Sequence, residues 1–355
     1  MPDSESNARL PTDAAEHQEI SLSSDTGKTY VAPDKYEARI KELIAQLNET
    51  AEKLQRDRPA LGDLKIIVPR SARVALCVEG LRTVSFAAQG GHLRLRPYPR
   101  RHADVRGRRR DGREMAKLGW MVVTGAGNGI MEAGHIGAGR ENSMGLNIML
   151  PFEQSSNSVI AGDPKLVTMK YFFTRKLMFV KECDAMILLP GGFGTLDEGL
   201  EVLTLLQTGK RDMVPVIFLD APGGTFWKPF IDFVKDKLLG DRMISPEDQS
   251  LFIHTDSIQR TVEEVRTFYR SYHSMRYVKN KLVLRLHKAP DAALLAEINE
   301  RFQGILAGGE FTVGEALPEE ADEPSLIALP RLIFQFNRRA LGKLRQLIDL
   351  VNRAA

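Results

Sequence analysis

The chain has 355 residues, a net charge of +3, 43% hydrophobic and 27% charged residues, a composition typical of one large or two ordinary folded domains. It has no apolar run of the roughly 18 residues that a membrane-spanning helix needs, and its polar N-terminus lacks the apolar segment of a signal peptide. Two cysteines, Cys77 and Cys183, exclude a disulfide framework and a cysteine-rich zinc site. These features predict a cytoplasmic protein without a membrane partner.

Two segments precede the first regular α/β pattern. Residues 1–32 are polar and aperiodic, which is typical of a disordered tail. Residues 33–68 are predicted to be an N-terminal helical segment, because apolar side chains recur at helical spacing between Ile40 and Leu54.

The segment 69–112 is anomalous. Between Pro69 and Ala116 the chain has 12 arginines, four acidic residues and no lysine, whereas a phosphate-binding surface normally mixes both bases. One explanation is a stretch translated out of frame, with the frame restored near Gly112. The other is a genuine basic insertion that contacts nucleic acid. The first is favoured, since the segment has few aromatic residues and no recognisable binding motif.

From 113 to 270 short apolar runs alternate with helical patterns. This predicts an α/β fold, a Rossmann-like doubly wound parallel sheet with helices on both faces. A ligand site is then expected at the carboxyl ends of the strands. The predicted strands are Trp120–Val123, Leu146–Leu150, Lys165–Met169, Ala185–Leu189, Val214–Leu219 and Leu251–His254. Helices are predicted from Ile130, over Phe172–Lys181, from Thr195 to about Gln207, and over Phe226–Leu239.

The last segment, 271–355, is predicted to be a small C-terminal α+β extension. Alternating apolar residues predict strands over Leu282–Leu286 and Leu332–Phe336. Helical patterns cover Pro290–Leu306 and Arg339–Val351, and an acidic linker lies between the two halves.

Two glycine-rich turns each follow a strand and open a helix. The first, Gly125-Ala-Gly-Asn-Gly129, lacks the spacing of a dinucleotide fingerprint, and a plain strand–helix turn explains it as well as a ligand site does. The second, Pro190-Gly-Gly-Phe-Gly-Thr195, places three glycines and a threonine at a helix N-terminus, which is suited to holding a phosphate. The alternative is that Thr195 and Glu198 form a capping box.

The pair Arg175-Lys176 precedes the strand that leads into the second turn. The two residues are either surface charges or part of a buried helix start. The apolar run Tyr171–Phe173 favours burial, in which case the arginine requires an anionic partner.

The run YFFTRKLMFVKECDAMILLPGGFGTLDE resembles the LONELY GUY (LOG) family of nucleoside 5′-monophosphate phosphoribohydrolases, once labelled lysine decarboxylases. VVTGAGNGIMEAG is similar to the family's first glycine turn, and the likeness extends over about 114–260. The Tyr-Phe-Phe variant and the C-terminal extension resemble longer bacterial members, some labelled AMP nucleosidase. Nothing in the chain indicates the lysine–pyridoxal phosphate site that decarboxylation needs.

The resemblance implies hydrolysis of the N-glycosidic bond of a purine-type nucleotide, AMP or a cytokinin riboside monophosphate, to free base and ribose 5-phosphate. It implies no metal or cofactor, and a homodimer or higher homo-oligomer. Arg175 and Glu198 match catalytic positions. The positions that match substrate- and phosphate-binding residues are Lys176, Gly191, Gly192, Gly194, Thr195, Thr204, Gly125 and Gly127.

Two points qualify the resemblance. Family members carry a Phe-Gly-Ser-Ala-Arg turn after the first strand, but Gly91–Arg101 occupies that place here. If the segment 69–112 is genuine, the first strand is expected to be missing. The alternative function is that of a non-catalytic carrier of a nucleotide or of the molybdenum cofactor, which resembles the family in fold. The presence of both Arg175 and Glu198 favours the enzyme.

Overall fold

A computed structural model describes residues 102–149, 156–169, 171–320 and 323–355, together with Thr83–Ala87 and the residues at 41, 45, 46, 48, 49 and 52. The chain divides into two compact units, Met1–Ala72 and Arg73–Ala355. In the first unit the six described residues are helical and exposed, as the apolar spacing predicts. The predicted tail 1–32 lies outside the described residues.

The second unit is built on a seven-stranded sheet in the order β4-β3-β2-β1-β5-β6-β7. Every pairing in it is parallel, which confirms the predicted doubly wound α/β fold. The strand order reverses between β1 and β5, and this is where such sheets open a crevice for a ligand. The strands are β1 Thr83–Ala87, β2 Met121–Thr124, β3 Ser143–Ile148, β4 Leu166–Met169, β5 Ala185–Leu188, β6 Val216–Leu219 and β7 Ile253–Thr255.

The central strand β1 lies inside the anomalous segment. Thr83 pairs with Met121 of β2, and Phe86 pairs with Ile187 of β5. The expectation of a missing first strand is therefore wrong. Thr-Val-Ser-Phe combines β-branched and aromatic residues that favour strands, but the run is too short to show a period among the irregular residues around it.

Six helices within the described residues flank the parallel sheet. They are α1 His102–Lys117, α2 Ile130–Ala138, α3 Phe172–Glu182, α4 Phe193–Gln207, α5 Lys228–Phe233, which continues as a π-helical turn over Val234–Leu239, and α6 Ile258–Phe268. Alternate strand residues enter different cores, since Val122 packs with Met115 and Val265 while its neighbours Met121 and Val123 pack with Phe179. Such alternation is expected of a sheet buried on both faces.

The C-terminal part forms a second, antiparallel sheet in the order β10-β11-β9-β8. Its elements are β8 Tyr272–Val278, β9 Lys281–Leu286, α7 Ala292–Arg301, β10 Leu306–Gly314, β11 Arg331–Phe336 and α8 Leu341–Ala354. This confirms the α+β extension. Leu344 and Leu347 of α8 share one hydrophobic core with Leu188 of β5 and Val202 of α4, so the extension completes the packing around the second glycine turn. Among the residues described, no helix combines the length and apolarity that a membrane span requires.

Candidate active site

The second glycine turn connects β5 to the N-terminus of α4, a helix of 15 residues. Gly192 lies at the helix start, and the Thr195 amide donates to its carbonyl oxygen at 3.0 Å. A Cβ added at Gly191 would overlap the Thr195 hydroxyl, which explains why this position is glycine. The backbone of the turn therefore lies next to the partial positive charge at the N-terminus of α4.

The capping-box alternative is wrong. Thr195 lies within the first turn of α4 and is fully buried against the turn, while Gly192 takes the position that caps the helix. The physical reason is that the helix begins three residues earlier than the box requires. Glu198 therefore needs another explanation.

Glu198 is a buried carboxylate without a full set of partners. Its side chain is 4% exposed, and its Oε2 atom makes no hydrogen bond within the described part of the chain. Burial raises the pKa of Glu198 to about 7, although the positive charge of Arg175 opposes the shift. A carboxyl group with this pKa exchanges its proton easily near neutral pH, as a general acid or base must.

Arg175 lies beneath the first glycine turn and is also 4% exposed. Its Nε–H donates to the Leu146 carbonyl oxygen at 2.9 Å, and its guanidinium carbon lies 5.2 Å from the centre of the Phe179 ring. Burial lowers the pKa of Arg175, and the charge of Glu198 opposes that shift. A Cβ at Gly125 would overlap the guanidinium group, so that turn and the arginine fit against each other.

The helix start before Arg175 is not buried, contrary to the sequence-based expectation. Tyr171, Phe172 and Phe173 are 48%, 49% and 59% exposed. The buried residues of α3 are Arg175, Met178 and Phe179, because the helix turns that face toward the sheet and leaves its first turn at the sheet edge.

Lys176 makes ion pairs with two carboxylates of α4. Its Nζ lies 2.5 Å from Asp197 Oδ1 and 3.3 Å from Glu201 Oε2. Burial lowers the pKa of Lys176, but these two partners outweigh that effect and raise it. The lysine therefore links α3 to α4, and its charge is already balanced by the protein.

Thr204 is not brought to the glycine turn. Its hydroxyl donates to the Leu200 carbonyl oxygen at 2.8 Å, and its side chain is exposed. Nine residues of helix separate it from Thr195, about 13 Å along the axis.

The first glycine turn follows β2 and is held by side chains that the sequence analysis did not single out. The Thr124 hydroxyl accepts from the Ala126 amide at 3.0 Å, and the Asn157 side-chain amide donates to the Gly127 carbonyl oxygen at 3.1 Å. His135 lies between them, fully buried. The only sequence signal was a histidine on the otherwise apolar buried face of α2.

Comparison with known proteins shows what this part of the chain is similar to. Residues 128–265 match the family model described as "Possible lysine decarboxylase". The cytokinin riboside 5′-monophosphate phosphoribohydrolase LOG of Oryza sativa subsp. japonica is 29% identical over 166 residues, 45% of this chain and 65% of that protein. The cytokinin riboside 5′-monophosphate phosphoribohydrolase LOG1 of Arabidopsis thaliana is 35% identical over 94 residues, 26% of this chain and 42% of that protein. Residues 128–265 are therefore similar to the LOG family.

The match to the LOG proteins covers only part of their length. The chain spans 42% to 65% of the length of these two curated relatives. Arg175, Lys176, Glu198 and the second glycine turn lie inside the matched segment, whereas Gly125 and Gly127 precede it.

Among solved structures, a molybdenum cofactor binding protein from Rippkaea orientalis overlaps with a TM-score of 0.36 at 20% identity, covering 53% of this chain and 96% of that one. A molybdenum cofactor carrier protein from Chlamydomonas reinhardtii gives 0.36 at 14% identity, covering 52% and 96%. Overlaps this weak carry no functional inference. Within the described ranges, no three His, Cys, Asp or Glu side chains are grouped to hold a metal ion.

Proposed function

We propose that this protein hydrolyses the N-glycosidic bond of a purine-type nucleoside 5′-monophosphate. The observation that carries the proposal is Glu198, a buried carboxyl group with one unbonded oxygen, a pKa of about 7 and the charge of Arg175 within electrostatic reach. It lies one helical turn beyond a glycine turn suited to a phosphate. The LOG relatives, whose names describe phosphoribohydrolases, support the same chemistry.

The reaction adds water across the bond between C1′ of the ribose and the nitrogen of the base. The hydroxyl group joins C1′, and the proton joins the leaving base. Such cleavage passes through an oxocarbenium-like state. Ionised Glu198 stabilises this positively charged state and directs the attacking water toward C1′. The proton that the water loses passes to Glu198 and is then available to the base.

Arg175 contributes charge and orientation to this reaction. A guanidinium group does not give up its proton in a protein, so Arg175 is assigned to electrostatic stabilisation of the leaving base or of the phosphate. Gly191, Gly192, Gly194 and Thr195 form the phosphate turn, while Lys176 and Gly127 support the helices and turn around the substrate. Thr204 takes part only if a second subunit brings its exposed hydroxyl to a neighbouring site.

We also propose that the enzyme works as a homodimer. The sequence suggests an apolar face on α4 through Leu196, Leu200, Leu203 and Leu206, but Leu206 is in the core and only Leu200 is exposed. Leu200 is 47% exposed and Leu177 on α3 is 39% exposed, while Phe193 is 91% exposed. Exposed large apolar side chains favour association. Light scattering that gave a monomer with full activity would contradict this.

The function is tested by incubating the protein with AMP, and separately with a cytokinin riboside monophosphate, followed by chromatography for free base and ribose 5-phosphate. We expect base release from the monophosphates and at least a hundredfold lower kcat/KM with adenosine, because a nucleoside lacks the anion that the turn binds. Equal rates with AMP and adenosine would contradict the role of the turn. Nucleotide binding without base release would favour the carrier function.

A further inference from the structure

The buried histidine beneath the first glycine turn has a defined tautomer. His135 Nε2 lies 3.1 Å from the Met144 carbonyl oxygen, which only accepts, so Nε2 carries the ring proton. Nδ1 is then an acceptor, and the Asn157 Nδ2 donor lies 3.2 Å from it. Burial lowers the pKa of His135, which favours this neutral ring.

The histidine fixes the orientation of Asn157. Because Nδ1 accepts, it selects the side-chain NH₂ group of Asn157, whose second proton reaches the Gly127 carbonyl oxygen at 3.1 Å. The side-chain oxygen then accepts from the Val159 amide at 3.2 Å, and the Asn157 backbone amide donates to the Ala126 carbonyl oxygen at 2.8 Å. Asn157 therefore holds two consecutive carbonyl groups of the turn.

Thr124 supplies the third anchor. Its hydroxyl oxygen lies 3.1 Å from His135 Nε2 and accepts from the Ala126 amide. Ala126 has a φ of 60°, a left-handed conformation that a non-glycine residue adopts only when its surroundings impose it. The bonds to both polar groups of its backbone supply that constraint.

The turn held in this way is in contact with Arg175. Gly125 lies against the guanidinium group so closely that a methyl group would not fit, and the Arg175 Nε–H is fixed on the next strand, β3. A change in the turn conformation therefore moves or releases the guanidinium group. Glu198, whose pKa is influenced by the charge of Arg175, would sense that movement.

We infer that His135, Asn157 and Thr124 are positioning residues, which set the placement of Arg175 for nucleotide cleavage through the Gly125–Gly129 turn. The inference rests on the proposed function. The neutral ring fits this network. A proton on His135 Nδ1 would face the nearer NH₂ group of Asn157 at 3.2 Å, and its bond to Asn157 Oδ1 at 3.4 Å would compete with the bond from the Val159 amide.

The groups that face the ring from β2, β3 and the 156–160 segment are neutral, namely Thr124, the Met144 carbonyl and Asn157. The charged group that affects the ring is Glu132 on the same helix, which raises the pKa of His135 against the larger effect of burial.

The test is a double-mutant cycle on AMP cleavage with Asn157→Ala and Arg175→Ala. We expect Asn157→Ala alone to lower kcat at least tenfold, and to change it by less than about twofold when Arg175 is already alanine. Thr124→Val, which removes one bond at nearly constant volume, gives a milder version if Asn157→Ala fails to fold.

Asn352→Ala is the matched control. Asn352 is an equally buried asparagine that accepts from two backbone amides, Ser271 and Tyr272, at 2.9 and 2.8 Å, in the C-terminal part. Its loss should lower stability but leave kcat of the folded protein unchanged. Two results together would overturn the inference: equal losses of kcat in Asn157→Ala and Asn352→Ala, and a loss in Asn157→Ala that adds to the loss in Arg175→Ala.

A second readout does not depend on turnover. In protein labelled with ¹⁵N-arginine, the Arg175 Nε–H signal is assigned by its loss in Arg175→Lys. We expect its hydrogen exchange to accelerate at least tenfold in Asn157→Ala and to stay unchanged in Asn352→Ala. Unchanged exchange in both variants would overturn the inference, whereas accelerated exchange in a protein that cleaves no nucleotide would overturn the proposed function only.

Discussion

Two buried clusters of arginine and glutamate in the described part of the chain can be compared, one beside the glycine turns and one in the C-terminal sheet. Glu320 is fully buried, and its Oε1 atom accepts from Arg285 Nε at 2.8 Å and from Arg331 at 3.3 Å. Its Oε2 atom accepts from the Leu317 amide at 3.0 Å. Glu198 is buried to a similar degree, yet one of its oxygens has no hydrogen-bond partner in the described part of the chain.

The two clusters shift the carboxyl pKa in opposite directions. Burial raises the pKa of Glu320, but the bonds from Leu317, Arg285 and Arg331 outweigh it and lower the pKa below 4.5. At Glu198 burial dominates and the pKa rises to about 7. Buried charge alone therefore does not identify a reactive site. The unbonded oxygen is what distinguishes Glu198 from Glu320, because a structure normally completes the hydrogen bonds of a buried carboxylate.

The largest expected effect is on stability at the complete cluster. Glu320→Gln removes the counter-charge of the fully buried Arg331, while Arg285 keeps its ion pair with Glu323. Loss of one partner of such a cluster costs about 3–5 kcal/mol of unfolding free energy. Urea unfolding at pH 7 measures it. Glu319→Gln next to it breaks only the exposed ion pair with Lys279, and should change the midpoint little. Similar losses in both variants would mean that the buried cluster is not special.

The next effect is on turnover at the incomplete cluster. Glu198→Gln keeps the size of the side chain but cannot ionise, so kcat for AMP should fall by about a hundredfold or more. Glu201→Gln, one turn later on the same helix and paired with Lys176, should stay within about fivefold of wild type. If the order were reversed, the working carboxylate would be Glu201.

The same variant should gain stability at alkaline pH. Because the folded pKa of Glu198 is about 7 against 4.5 in the unfolded chain, the folded state holds the proton more tightly, and stability falls as the pH rises from 4.5 to 7. At about 1.4 kcal/mol per pKa unit this cost reaches about 3 kcal/mol at pH 8. Glu198→Gln does not incur it. Unfolding curves of both proteins at pH 5 and pH 8 should diverge with pH, and parallel curves would refute the raised pKa.

A smaller effect distinguishes the two glycines before α4. Gly191→Ala forces a methyl group onto the buried Thr195 hydroxyl, and overpacking of this kind costs about 1–3 kcal/mol. Gly192→Ala meets no atom within 4 Å, so its unfolding free energy should stay within about 0.5 kcal/mol of wild type. Thermal unfolding of the pair tests whether Thr195 is held beneath the turn. Equal stability of the two variants would place its hydroxyl elsewhere.

Much of the fold was predictable from the sequence because the strands of the parallel sheet are short, apolar and buried on both faces. The exceptions have physical causes. β1 lies among arginine-rich residues without a period, and β10 is largely exposed and contains Gly308 and Gly309, so it has no apolar alternation to detect. β8 buries every third residue rather than every second, with an irregular register near Tyr272.

The candidate site was predictable where its residues are close in sequence. Gly191–Thr195 and Glu198 fall in one strand–turn–helix unit, and the resemblance to the LOG family adds Arg175. Asn157 was missed because it reaches the first turn from a loop 22 residues beyond His135, a contact that no local pattern encodes. The ion pairs of Lys176 were missed for the same reason, since they join two helices.

The central claim is that Glu198 is the incomplete carboxylate that performs the chemistry, and the pH dependence of kcat/KM for AMP between pH 5.5 and 8.5 tests it most directly. The group acts when ionised, so activity should fall as the pH drops through an apparent pKa near 7, as burial of Glu198 requires. The rates are measured over a range of AMP concentrations at fixed ionic strength. Binding of ribose 5-phosphate, measured at the same pH values, separates the ionisation of the substrate phosphate from that of Glu198. An activity that stays constant down to pH 5.5 would show that the working carboxylate has an ordinary pKa, and would contradict the account.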